Sequence, residues 1–275
     1  MRKPVYIIVC IFCAALFMAF SVSFSEDADT REFDGLIEPY MIVNVGTPVA
    51  GVIDSVTVDR GDNVKKGQIV ATLKSDVEKA TMELAQARVE MDATIKARQE
   101  KLEYEKRREE RMRGLYSQKV LPFQEWDDAK TRRALAEQEL AEALEDKRLS
   151  ELELARSAEV LRRTTIRSPL TGVVVERYLH PGEYVEDKPI IRLAQIDPLN
   201  VEVILPVEML DDVKKGMKAR VIPEEPMNAV FTAKVIIVDK VVDAASGTFG
   251  VRLELPNPDY RITPGLKCKV IFQKK

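Results

Sequence analysis

Residues 48–73 recur 121 positions further along the chain, and this duplication limits the available folds more than any other feature of the sequence. Pro48-Val49-Ala50-Gly51-Val52-Ile53 in the first copy corresponds to Pro169-Leu170-Thr171-Gly172-Val173-Val174 in the second. Gly61-Asp62-Asn63-Val64 corresponds to Gly182-Glu183-Tyr184-Val185, and Ile69 to Ile190. The β-branched runs make each copy read as strand, turn, strand, half of a flattened barrel or sandwich. Neither half can bury its apolar face alone, so the two are expected to fold against each other. Pro181-Gly182 fits the central positions of a type II turn, where φ is first preset by proline and must then become positive. Arg60-Gly61 occupies the same place in the first copy, and Gly51, Gly61, Gly172 and Gly182 are the expected structural turn positions.

Nearly everything between the copies has a helical pattern. No proline occurs between Ser75 and Pro122, and no glycine before Gly114. Ser75 with Glu78 three residues on is a candidate N-terminal cap, and a second helix is predicted over 123–163. Arms of about 40 residues at 1.5 Å per residue would be about 60 Å long and close in length, which predicts a hairpin over 75–163 with its tip at 114–122. On the second arm Ala129, Ala136, Ala143, Ser150 and Ser157 form a small-residue row, with Leu140, Leu154 and Leu161 beside it and Arg133 and Lys147 interrupting. On the first arm Val77, Leu84 and Met91 form a row that runs into Arg98 and Glu105. Such interruptions weaken an isolated helix pair, so lateral support from neighbouring hairpins is expected.

From Leu199 the apolar period becomes two: Val201, Val203 and Leu205 alternate with polar residues, and 233–238 and 251–255 read as further strands. A short helix is predicted over 207–215, stopped by Gly216. Thr263-Pro264-Gly265-Leu266 precedes a last strand. Together with a strand from residues 34–46, these segments predict a small antiparallel β-barrel.

Charged residues make up 32% of the chain but the net charge is only −3, which describes solvated helices and leaves no basic excess for nucleic acid. Arg2 and Lys3, the apolar run 5–20, and small residues before Glu26 follow the order of a secretory signal peptide cleaved near Ser25. An uncleaved inner-membrane anchor is the alternative, and Phe12 argues against lipid attachment at Cys13. With Cys10 and Cys13 in that segment, Cys268 remains as a small buried hydrophobe. His180, the one histidine, adjoins a turn, so metal and nucleophile-pair chemistry lack parts. The hairpin carboxylates alternate with Lys and Arg, and none pairs as an acid/base couple.

The duplicated residues resemble the biotinyl/lipoyl half-motifs of periplasmic adaptors, the membrane fusion protein family of bacterial efflux and secretion pumps. A swinging-arm carrier is the alternative for such motifs, but it needs a tight turn to present a modified lysine, and here that turn is an insertion of about ninety residues. Asp243, Ser246-Gly247-Thr248, Asn257-Pro258 and Thr263-Pro264-Gly265 resemble the family's β-barrel. The resemblance implies an elongated, multi-module chain. Its parts would be a signal (1–25), a first barrel strand (30–46), lipoyl-like halves (47–74 and 164–196) split by an antiparallel coiled-coil hairpin, and the β-barrel (197–275). Three residues follow Phe272, too few for the membrane-proximal domain many relatives carry.

It further implies a non-enzymatic, cofactor-free subunit of the periplasm, associated with the inner membrane. Several copies, a hexameric ring by family resemblance, would join an inner-membrane RND or ABC transporter to a TolC-like outer-membrane channel; hemolysin-type protein secretion is the alternative. In the family's tip pattern an arginine, a leucine four residues on and a serine seven further meet the channel. Arg111 and Leu115 match, with Trp126-Asp127 beyond them, and Pro122 stands at the serine position.

Overall fold

The computed structural model describes residues 31–227 and 229–273; the expected signal segment, Cys10 and Cys13 lie outside them. Twelve strands and three α-helices are found there, in two compact units divided at 38/39 and 197/198. No helix among the described residues is long and apolar enough to cross a membrane.

The unit formed by residues 39–197 is built by the duplication. In the first copy β2 (Gly51–Val56), β3 (Asn63–Val64) and β4 (Ile69–Leu73) match β6 (Gly172–Arg177), β7 (Tyr184–Val185) and the start of β8 (Ile191–Pro206) in the second. Each copy pairs within itself, β2 with β4 and β6 with β8, and also with the other copy. Gly51 lies opposite Val185, and its counterpart Gly172 lies opposite Val64. The backbone bonds follow the same exchange: Gly182 N–H donates to Ile53 O and Gly61 N–H to Val174 O, at 2.8 and 2.9 Å. This is a local two-fold arrangement, and it sandwiches Ile53, Val64, Val70, Val174, Val185 and Ile190 in one core. Both turns form as expected, with Gly61 and Gly182 at φ 92° and 91°. Asp62 and Glu183 N–H close them onto the carbonyls of Asp59 and His180.

Between the copies run α1 (Asp76–Val89), α2 (Ala93–Ser117) and α3 (Phe123–Arg163). Three expectations are corrected here. Ser75 stands at the N-cap of α1 but its side chain makes no capping bond. The first arm is broken at residues 90–92, although neither glycine nor proline is present. The row Val77, Leu84 and Met91 is exposed, and the buried residues of the first arm are Ala85, Leu102 and Glu105. The break accounts for the change of face. In one continuous helix Ala85 and Leu102 would stand about 100° apart, and the turn between them brings both to the buried side.

The unit of residues 31–38 and 198–273 is a closed six-stranded barrel. Its order is β1 (Phe33–Val45), β12 (Lys267–Phe272), β9 (Lys218–Pro223), β10 (Phe231–Val238), β11 (Thr248–Leu255) and β8, with β8 returning to β1. β1 enters it through Phe33 to Leu36, paired with Lys267 to Val270; from Pro39 the chain belongs to the other unit, so not all of 30–46 serves the barrel. Val201, Val203 and Leu205 point inward against Phe249, Val251 and Leu253, as their alternation predicts. The helix expected over 207–215 is a single 3-10 turn, Val207–Met209, followed by turns.

Candidate functional site: the arm and its tip

Three of the four charges that break the apolar rows of the arm, Arg98, Arg133 and Lys147, are paired across it. Arg98 and Lys101 both reach Glu139, at 2.6 and 2.8 Å; Arg133 reaches Glu109 at 2.9 Å and Lys147 reaches Asp92 at 2.5 Å. Partner numbers rise on one helix as they fall on the other, so α3 runs antiparallel to α1 and α2. The Lys101 hydrogen bond chiefly holds the Glu139 carboxyl below its usual range, and the Lys147 hydrogen bond does the same for Asp92. Three of the interruptions read from the sequence, Arg98, Arg133 and Lys147, are therefore internal cross-links, while Glu105 is buried and pairs along its own helix with Arg108 at 3.8 Å. Beside them Ala129, Ala136, Ala143 and Ser157 are buried as expected, where small side chains admit a close helix approach.

At the tip, Gly114 does not end α2, which continues to Ser117. Lys119 ends it instead, in a left-handed conformation at φ 57°. Lys119 N–H donates to Tyr116 O at 2.9 Å and Val120 N–H to Leu115 O at 3.0 Å, the two bonds of a Schellman cap. Pro122 then occupies the N-cap of α3, with no side-chain capping bond. Around this turn Tyr116 stacks on Trp126 with ring centres 5.1 Å apart, and Phe123 meets both rings edge-on. Lys130 Nζ lies 5.9 Å from the Trp126 ring centre. The aromatic trio escaped the sequence reading; its members straddle the turn, and their placement on both sides of 118–122 was the available signal.

Arg111, Leu115 and Pro122 are all exposed. Arg111 and Leu115 are one helical turn apart on α2, and no ion pair engages Arg111 among the described residues. The glycines fall into two kinds. Gly61 and Gly182 need their positive φ, while Gly51 and Gly172 sit in strands, and a Cβ on Gly172 would lie 2.0 Å from Ala194 O. Among the described residues no three His, Cys, Asp or Glu side chains are grouped to hold a metal.

A duplicated β-sandwich opened by a helical arm and joined to a six-stranded barrel defines a class. Residues 41–195 match the CzcB-like barrel-sandwich hybrid domain and 199–275 the CusB-like β-barrel domain. The chain thus belongs to the CzcB-like barrel-sandwich hybrid family, within the periplasmic adaptor or membrane fusion proteins. It is 27% identical over 219 residues to the cobalt-zinc-cadmium resistance protein CzcB of Cupriavidus metallidurans, covering 79% of this chain and 40% of that one. It is 24% identical over 253 residues to the antibiotic efflux pump periplasmic linker protein ArpA of Pseudomonas putida, covering 86% and 59%. The chain therefore spans between two fifths and three fifths of the length of these relatives. Its fold is similar to the crystal structure of MacA from Actinobacillus actinomycetemcomitans, with a TM-score of 0.75 at 22% identity over 90% of this chain and 80% of that one.

Proposed function

We propose that the chain is the periplasmic adaptor subunit of a tripartite efflux pump, in which several copies form a conduit from an inner-membrane RND or ABC transporter to a TolC-like outer-membrane channel. The observation that carries this reading is the helical arm inserted in the duplicated sandwich. α3 alone has 41 residues, about 60 Å of straight helix, tied along its length to α1 and α2 by ion pairs. Acting as an antiparallel coiled-coil hairpin, it holds a small tip at a fixed distance from the sandwich. Its function is geometric: the arm spans, the tip docks, and the transporter supplies the energy. The names of the relatives, metal resistance and antibiotic efflux, favour small solutes or ions over hemolysin-type protein secretion.

The channel contact is assigned to Arg111 and Leu115, with Pro122 at the position of the family serine. Leu115→Asp places a charge where an apolar side chain would be covered on docking, and an uncompensated buried charge costs several kcal/mol. The residue is already exposed in the free chain, so folding should be unaffected. In a strain lacking other adaptors, Leu115→Asp at wild-type expression should abolish efflux, Arg111→Ala should weaken it less, and Pro122→Ser should be tolerated. Normal efflux by Leu115→Asp overturns the tip assignment.

A further inference from the structure

Acidic residues outnumber basic ones in the barrel unit, yet two adjacent strands of its wall carry only cations. β9 contributes Lys218 and Arg220, β10 contributes Lys234, and neither strand holds an acid. All three side chains are exposed, because Ala219, Val221, Ala233 and Val235 take the alternate positions and fill the barrel. Lys218 lies directly opposite Lys234, and Arg220 lies opposite Thr232 on the same outer surface. Like charges set directly opposite on paired strands repel and weaken a sheet. Nothing within the chain relieves them: among the described residues none of the three cations makes an ion pair. Glu254 stands across from Lys234 on β11 without pairing to it, and the neighbouring acids Glu202 and Asp34 are taken by Arg252 and Lys269.

The cationic surface continues past the end of the strand pair. Gly216 N–H donates to Val235 O at 2.8 Å and Val235 N–H to Met217 O at 2.9 Å, which lays the chain just before β9 along β10. Lys214 and Lys215, both exposed, lie in that stretch. Lys215 lines a shallow groove with Leu210, Ile236, Ile237 and Lys240, and Asp239 is the one acid there. Leu210 and Ile237 are 38% and 43% exposed, and Val241 just beyond them is 82% exposed. The outside of this wall therefore joins a cluster of unpaired cations to a short aliphatic edge.

We propose that this wall of the barrel docks on a membrane surface of anionic phospholipid: Lys218, Arg220 and Lys234 meet the headgroup phosphates, while Leu210, Ile237 and Val241 enter the headgroup boundary. This rests on the adaptor reading, which sets the chain beside the inner membrane, and it gives the barrel a lipid contact of its own. Composition selects the occupant. Where protein meets protein, lysine is depleted and aromatic anchors are enriched; here Lys214, Lys215, Lys218 and Lys234 surround one arginine, and none of these exposed positions is aromatic. A cluster of several Lys and Arg is instead what attracts an anionic lipid surface. Lysine stems also lie along apolar neighbours while the ammonium reaches the polar layer, which suits the lysines beside Ile236 and Ile237. A phosphate between Lys218 and Lys234 removes the repulsion that the free chain leaves standing.

The test is flotation of the full chain, as cells process it, with vesicles of phosphatidylcholine alone or mixed with phosphatidylglycerol. Wild type should prefer the phosphatidylglycerol vesicles, and less so as salt rises. The triple variant Lys218→Gln, Arg220→Gln, Lys234→Gln should lose about tenfold or more of that affinity. Lys218→Glu should also weaken binding while keeping or raising the melting temperature, since it sets a carboxylate opposite Lys234; lost docking is thereby separated from lost folding. Equal binding to both kinds of vesicle, or unchanged binding by the triple variant, overturns the proposal. So does a triple variant that floats like wild type but no longer cross-links to an acidic protein of the membrane fraction, which would make the occupant a protein. Protease added to spheroplasts reports on the adaptor reading separately: a chain it cannot reach overturns that reading, whereas a chain that is reached but ignores phosphatidylglycerol overturns only the lipid contact.

Discussion

The carbonyl oxygen of Ala194 lies 2.0 Å from the point where Gly172 would carry a Cβ, with the carbonyl carbon at 2.9 Å. The backbone of β8 crosses there against β6, one residue from the Val173–Ala194 pair. At Gly51, the counterpart of Gly172 in the first copy, a Cβ would meet the Leu73 side chain at 3.3 Å, and a side chain can move aside. Gly172→Ala should therefore destabilise the sandwich by about 3 kcal/mol or more, and Gly51→Ala by less than about 1.5 kcal/mol. Urea unfolding of the two variants decides this; equal losses would contradict it.

Lys119 holds a left-handed conformation at φ 57° that costs a residue with a Cβ about 1 kcal/mol. Lys119→Gly removes that cost while keeping the Schellman bonds from Lys119 and Val120 to Tyr116 and Leu115. The arm should gain up to about 1 kcal/mol, less the entropy glycine adds to the unfolded chain. Thermal melting followed at the helical signal measures it, and a clear loss of stability would be the contrary result.

Cys268 is buried in the barrel, and desolvation pushes its thiol from 9.0 up to about 11. The unfolded chain then releases this proton at lower pH than the folded one. The contribution of the thiol is fully present below pH 9 and is lost as pH rises towards about 11. Relative to Cys268→Ala, the wild type should lose urea resistance over that window. A stability difference that does not change with pH across it would refute the assignment.

The duplicated sandwich was legible because its determinants are local: Gly61 and Gly182 take positive φ in turns that neighbouring residues close, and Ile53, Val64, Val174 and Val185 alternate inward on short strands. The second helix was legible end to end, since Pro122 marks its start and the next half-motif its finish. The short helix predicted from residue 207 was not realised: after one turn, Met209 and Val213 are buried in the barrel unit and the chain continues in turns. The first arm was misread for a related reason. Val77, Leu84 and Met91 have the spacing of a buried row, and spacing cannot say which of two rows faces a partner.

The sequence alone determined that the chain folds as two matching β-halves around a helical insertion followed by an alternating β-module, because turn chemistry and apolar periodicity act over a few residues. Only the tertiary structure decided the rest. The break at 90–92 hands the buried position from the face of Ala85 to that of Leu102, and Lys147 meets Asp92 beside it. A Cβ would collide with backbone at Gly172 but not at its twin Gly51, because Ala194, 22 positions along the chain, comes to lie against it. Those outcomes depend on which distant backbone and side chains converge on a residue, and no local pattern encodes that.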